Sequence, residues 1–216
     1  IDVIVIDHHL SEIKLPNVLA IINPNRVDDT SDYTQLAAVG VTFLFLMYLR
    51  KKLREFKKFD EIKEPNLLSY LDLVALGTVC DVVELKRYNR FFVQKGLELI
   101  HKRYHKGIAK LIDNSKISSS PTSQDLGFIV GPQINAASRI DDSSLASKLL
   151  ISNDIEQVES ISRKLFLLNE KRKLIESQIL DDANNQAANQ NSSNFILVFG
   201  NNWHQGVLGI IASKIK

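Results

Sequence analysis

The feature that most restricts the fold is a run of four β-branched residues, Val3-Ile4-Val5-Ile6, that passes directly into Asp7-His8-His9. A short, continuous apolar run, rather than an alternating one, predicts a strand covered on both faces in a parallel sheet. In open α/β sheets ligands bind at the carboxyl ends of strands, so a polar triad there is a candidate for chemistry. Residues 20–22 predict a second short strand, stopped by the turn formers Asn23-Pro24-Asn25.

Helical periodicity follows over residues 35–53 and 67–76, and again over 88–101 and 108–112. Between them, Gly77-Thr78-Val79-Cys80-Asp81-Val82-Val83 breaks the rhythm and reads as a loop or short extended piece. Residues 118–123 form a Ser/Pro/Thr loop, and 145–150 and 154–188 are helical, the latter with Val158, Ile161, Leu165, Leu168, Ile175 and Ile179 on one stripe. A helix of that length with the charged middle Glu170-Lys171-Arg172-Lys173 suits a connector, and the Asn/Gln/Ala/Ser tract 184–194 a linker. Residues 195–199 predict a new strand, leading through Trp203-His204-Gln205-Gly206 into a helix over 207–215. The expected class is α/β: part of a parallel-sheet domain (1–150), a connector helix and linker (151–193) and the start of a second α/β domain (194–216). Opening inside a strand and closing inside a helix, the sequence reads as a piece of a longer chain.

The 216 residues, 44% hydrophobic and 24% charged, suffice for one or two packed cores and exclude a disordered or collagen-like chain. The charge is close to neutral, 27 basic against 25 acidic residues, but Arg50, Lys51, Lys52, Arg54, Lys57 and Lys58 crowd one stretch, either a solvated helix end or a phosphate-contacting patch. One cysteine, Cys80, rules out an internal disulfide and a multi-cysteine metal site, so a metal would need His and carboxylate ligands. Apolar stretches such as 39–49 are too short to span a membrane, and no secretory leader is evident, so a cytoplasmic protein is expected. Phosphate-loop, dinucleotide and nucleophile-elbow motifs are all missing, which weakens kinase, dehydrogenase and serine hydrolase readings.

Imidazole and carboxylate are ligands that borderline divalent ions accept, so Asp7-His8-His9 is either a metal-binding strand end or a capping turn. Asp81 is the only acid in the apolar stretch 73–83; a metal would offset its burial, as would a helix cap or pairing with Arg87 or Arg90. Asn135 and Arg139, within Gly131-Pro132-Gln133-Ile134-Asn135-Ala136-Ala137-Ser138-Arg139, could contact a phosphate or brace a loop. His204 precedes a helix whose positive end suits a phosphate, or belongs to a plain helix start beside a partly buried Trp203. His101 and His105 read as a solvated helix end, and Cys80 as a small core residue.

The segment Val3-Ile4-Val5-Ile6-Asp7-His8-His9 resembles the signature of the DHH phosphoesterases. Asn23-Pro24-Asn25, Ala38-Val39-Gly40-Val41 and the stretches 71–83, 131–139 and 203–213 resemble, in that order, the single-strand-specific exonuclease branch of that family. The resemblance implies a metal-dependent hydrolase removing nucleotides from the 5′ end of single-stranded DNA in recombination and repair. It implies His8 and Asp81 as ligands of Mn²⁺ or Mg²⁺, Asp7 in support, His9 near the scissile phosphate, and Asn135, Arg139 and His204 holding the DNA backbone. It further implies a DHH domain followed by the start of a DHHA1-like domain, a monomer, no membrane partner, and a helicase or single-strand-binding protein as companions. The family's first aspartate motifs precede the Asp-His-His strand and its oligonucleotide-binding barrel lies downstream; neither is in these 216 residues. Gln133 stands where the family usually has Arg, and Ser138 where it usually has Gly. Two other readings stay open: a non-catalytic nucleic-acid-binding relative, and an enzyme for short oligonucleotides or pyrophosphate.

Overall fold

The structure, a computed structural model, describes residues 1–117, 119–190 and 195–215. Ser118 of the predicted loop, residues 191–194 of the predicted linker and Lys216 lie outside the described residues. The chain divides into two compact units, one of residues 1–105 with 117–128, the other of 106–116 with 129–216.

In the first unit, β1 (Ile4–Ile6) and β2 (Ala20–Ile22) pair in parallel with Ile4 opposite Ala20, Val5 opposite Ile21 and Ile6 opposite Ile22. Burial on both faces does not hold for all of β1: Ile4 is 48% exposed, because β2 is the only strand beside it among the described residues. The longer helices of the unit are α1 (Ala38–Glu55), α2 (Leu71–Cys80) and α3 (Arg87–His101). Their core joins Leu36, Val41, Phe43, Leu67, Leu71, Val74 and Phe92, with Ile6 and Ile22 packed against it from the strands. Phe43 and Phe92 meet edge to face, their ring centroids 5.5 Å apart, a geometry favoured by the ring quadrupoles. The basic run ends α1, where cations suit the helix dipole; Lys52 pairs with Glu55, while Arg50 and Arg54 share Glu64.

The segment 77–83, expected to be a loop or short extended piece, is helical through Cys80 and leaves the helix only at Asp81. Leu71, Asp72, Val74, Ala75, Leu76 and Thr78 are all buried, so α2 is covered on several faces and carries no single apolar stripe for a periodicity to reveal. Gly77 allows this packing, since a Cβ there would lie 2.9 Å from Val39 Cγ1 of α1. Tertiary burial outweighs the modest helix penalty of Thr78 and Val79.

The second unit contains α4 (Lys106–Asn114), α5 (Gly131–Ile140), α6 (Ser144–Ile151), α7 (Ile155–Ala188) and α8 (Leu208–Lys214). Asp154 caps α7 by accepting from the Glu156 and Gln157 N–H groups, and the predicted stripe is buried from Val158 to Ile179, with Ile175 half-buried. The charged middle of α7 is not wholly solvated, for Glu176 is 7% exposed and takes contacts from Arg172 and Lys214. Upstream of α5, Thr122 and Asp125 form a capping box, and a π turn spans Leu126–Val130.

The strand expected at 195–199 has no strand partner among the described residues. Two glutamine side chains take that place, Gln186 in the last turn of α7 and Gln190 just past its end. Gln190 donates to the Leu197 carbonyl at 2.5 Å and accepts from its N–H at 3.0 Å, and Gln186 does the same for Phe199 at 2.9 and 3.1 Å. Among the described residues no helix is long and apolar enough to cross a membrane.

Candidate metal centre

Asp7, His8 and His9 leave the sheet at the end of β1, where the last ladder-like bond runs from the Asp7 N–H to the Ile22 carbonyl at 3.0 Å. Asp81 is the C-terminal cap of α2. The fold brings His8 Nε2 to 3.0 Å from Asp81 Oδ2, with the imidazole 15% and the carboxylate 35% exposed. The sequence placed Asp81 in an apolar, buried setting; it is instead at the surface-facing helix end, and Arg87, one of its two candidate ionic partners, pairs with Asp32. A carboxylate at a helix C-terminus is opposed by the macrodipole, so Asp81 does not serve the stability of α2.

The backbone around Asp81 is also strained. Val82 has φ 59° and is 88% exposed. A β-branched residue in the left-handed region costs on the order of 1–2 kcal/mol, and no burial of its side chain offsets that.

Asp7 and His9 form a second pair. Asp7 Oδ1 accepts from the His9 ring at 2.7 Å and from the His8 and His9 N–H groups at 2.7 and 3.3 Å. The His9 imidazole beside Asp7 holds that carboxyl below its usual range, and the Asp7 carboxylate in turn raises the His9 pKa. His9 is 77% exposed, so its ring is presented to solvent next to the His8–Asp81 pair, its ring centroid 4.5 Å from that of His8. Cys80, next to Asp81, is inert: burial and the Asp81 charge push its thiol up to about 11.

The donor chemistry suits a hard or borderline divalent ion: one imidazole nitrogen and one carboxylate oxygen already converge. The set is short of a full coordination sphere, for among the described residues no group of three or more His, Cys, Asp or Glu side chains converges on one point.

Asn135, Arg139 and His204 belong to the second unit. Asn135 is exposed on α5. Arg139 Nη1 donates to the Gly206 carbonyl at 3.1 Å, and a Cβ on Gly206 would lie 2.1 Å from the Arg139 carbonyl oxygen, so the arginine braces the turn before α8. His204 Nδ1 accepts from the Gly206 N–H at 3.1 Å, which makes Nε2 the protonated nitrogen of a neutral ring. Gln133, at the family's Arg position, is 2% exposed and donates to Ser115 Oγ and the Ile129 carbonyl.

Sequence reasoning missed two features. His105, expected to be solvated, is half-buried and bonded through Nδ1 to Asp72, a carboxylate 0% exposed within α2. The signal was an acid inside an apolar helix, which needs a partner. Asn23 and Asn25, read only as turn formers, send side-chain amides to the backbone of His9 and His8.

Residues 1–78 match the DHH family, N-terminal domain. The whole chain is 42% identical to the single-stranded-DNA-specific exonuclease RecJ of Dickeya dadantii and 41% identical to that of Escherichia coli, covering 39% of each protein's length. Among solved structures it resembles exonuclease RecJ bound to manganese, with a TM-score of 0.84 and 30% identity over 99% of this chain and 51% of that one. It also resembles RecJ in complex with Mg²⁺ from Thermus thermophilus, with a TM-score of 0.80 and 30% identity over 98% of this chain and 30% of that one. The chain therefore spans about two fifths of the curated relatives it matches; its residues 1–78 match the N-terminal domain of the DHH family, and its whole length is similar to the RecJ exonucleases.

Proposed function

We propose that this chain is part of a metal-dependent exonuclease that hydrolyses single-stranded DNA from the 5′ end. The observation that carries the reading is the 3.0 Å approach of His8 Nε2 to Asp81 Oδ2, two donors distant in sequence that share a DHH strand end and a helix terminus. It is supported by relatives whose structures contain Mn²⁺ or Mg²⁺. Further ligands would come from sequence outside these residues, as the family's upstream aspartate motifs suggest. The proposed division is a DHH domain over 1–150, a connector over 151–193 and the start of a DHHA1-like domain from 194.

His8 and Asp81 would hold the ion, which when bound would polarise a phosphoryl oxygen and activate water. Asp7 orients the His9 ring through their 2.7 Å contact, and its charge favours the protonated ring. The exposed imidazolium of His9 would bind a phosphate oxygen and stabilise charge that develops on it. The Nε2–H of His204 and the exposed amide of Asn135 are donors for backbone phosphates, which position a strand without reading its sequence. Arg139 shapes the turn that carries His204.

The test is degradation of 5′-phosphorylated single-stranded DNA in Mn²⁺ by the full product of the gene encoding this chain. His9→Ala is expected to lower the rate by about 100-fold or more; unchanged turnover removes the assignment. The short ligand set favours one second reading, a binding module without turnover. Salt-sensitive DNA binding with no heat of Mn²⁺ association would establish it.

A further inference from the structure

Asn23-Pro24-Asn25 needs only one side-chain contact to make its turn, the Asn23 Oδ1 acceptor for the Asn25 N–H at 2.8 Å. The donors go elsewhere. Asn25 Nδ2 reaches the His8 carbonyl at 2.6 Å and the Thr34 carbonyl at 3.0 Å, and Asn23 Nδ2 reaches the His9 carbonyl at 2.8 Å. Both hydrogens of the Asn25 amide are used, on carbonyls from two segments, and Asn23 is 5% exposed. The Ser11 N–H to Asn25 carbonyl contact, at 3.4 Å, closes the far side.

These bonds begin where the sheet stops. The ladder between β1 and β2 ends at the Asp7 N–H, so His8 and His9 lie beyond the last strand contact. A backbone free to rotate there would swing the His8 ring away from Asp81, whereas a ligand must be held within about 0.5 Å of its productive place. We infer that Asn23 and Asn25 are positioning residues for the metal centre: their amides extend the β1–β2 pairing by side chain and fix the His8 and His9 backbone, so that His8 Nε2 meets a divalent cation together with Asp81. This rests on reading His8 and Asp81 as ligands of one ion.

Asn23→Asp separates the brace from the turn, since the carboxylate still accepts from the Asn25 N–H but no longer donates to His9. Asn25→Asp sets an acceptor against two carbonyls. The added charge alone would tighten cation binding, so weaker binding in these variants comes from the lost donors. Mn²⁺ affinity by calorimetry on the full chain, with circular dichroism to verify folding, is expected to fall about 10- to 100-fold in each. In metal-free protein the His8 ring ¹⁵N resonances are expected to move as its contact with Asp81 loosens. Asn25→Ser, which keeps one donor, should recover part of the affinity and serves where an Asp variant fails to fold. Wild-type affinity and an unmoved His8 signal in the variants overturn the positioning role alone. Absence of Mn²⁺ binding by the wild-type chain overturns the ligand reading and this role with it.

Discussion

Gly96→Ala sets two effects of opposite sign against each other. In a helix interior, alanine is favoured over glycine by about 1 kcal/mol, so propensity alone makes the variant more stable. The packing of α3 on α2 says the reverse. A Cβ at position 96 would stand 2.3 Å from both the Leu71 carbonyl oxygen and Ala75 Cβ, where ordinary contact is about 3.5–4.0 Å. Neither neighbour is the end of a flexible side chain, so the helices must separate by about 1 Å. Overpacking of this kind costs on the order of 3 kcal/mol at its upper end, leaving a net loss of about 2 kcal/mol after the propensity gain. With a urea dependence of about 2 kcal/mol per molar, the midpoint should fall by about 1 M at unchanged slope. Because α2 ends in Asp81, the same shift should lengthen its contact with His8 beyond hydrogen-bond range. An equal or higher urea midpoint would refute the packing of α2 on α3 described above.

Other consequences are simpler to test. Val82→Gly relieves the left-handed strain of an exposed residue and should raise stability by roughly 1 kcal/mol in urea titration. Cys80 should resist iodoacetamide at neutral pH until the protein unfolds, because its thiol is pushed up to about 11. Asp142, two residues before α6, has its carboxyl held below its usual range by the N–H and hydroxyl of Ser144, the first residue of that helix. Its folded pKa lies under its unfolded one, so the stabilisation is present above the unfolded value and is lost as pH falls through the folded value. Thermal melts between about pH 5 and about pH 2 should therefore decline more steeply in wild type than in Asp142→Asn.

The parts of the fold legible in the sequence were those with one apolar face. The stripe from Val158 to Ile179 gave α7, and the run before Asp7 gave β1. Packing from several sides hid the rest: α2 shows no stripe because it is buried nearly all round, so its last turn read as extended. Residues 195–199 have the composition of a strand, but their pairing comes from Gln186 and Gln190, and amide side chains at and beyond a helix end give no pattern that points to a backbone partner. At the metal centre, residue type and the strand-end rule singled out Asp7, His8 and His9, and an acid in an apolar stretch singled out Asp81. The braces, Asn23 and Asn25, use the residue type of ordinary turns, so only geometry distinguishes them.

The most direct measurement is anomalous diffraction from crystals of the protein grown in Mn²⁺. A peak within about 2.0–2.3 Å of both His8 Nε2 and Asp81 Oδ2 is expected. A peak coordinated by neither group, or no peak beside them at saturating Mn²⁺, would contradict the shared-ligand assignment.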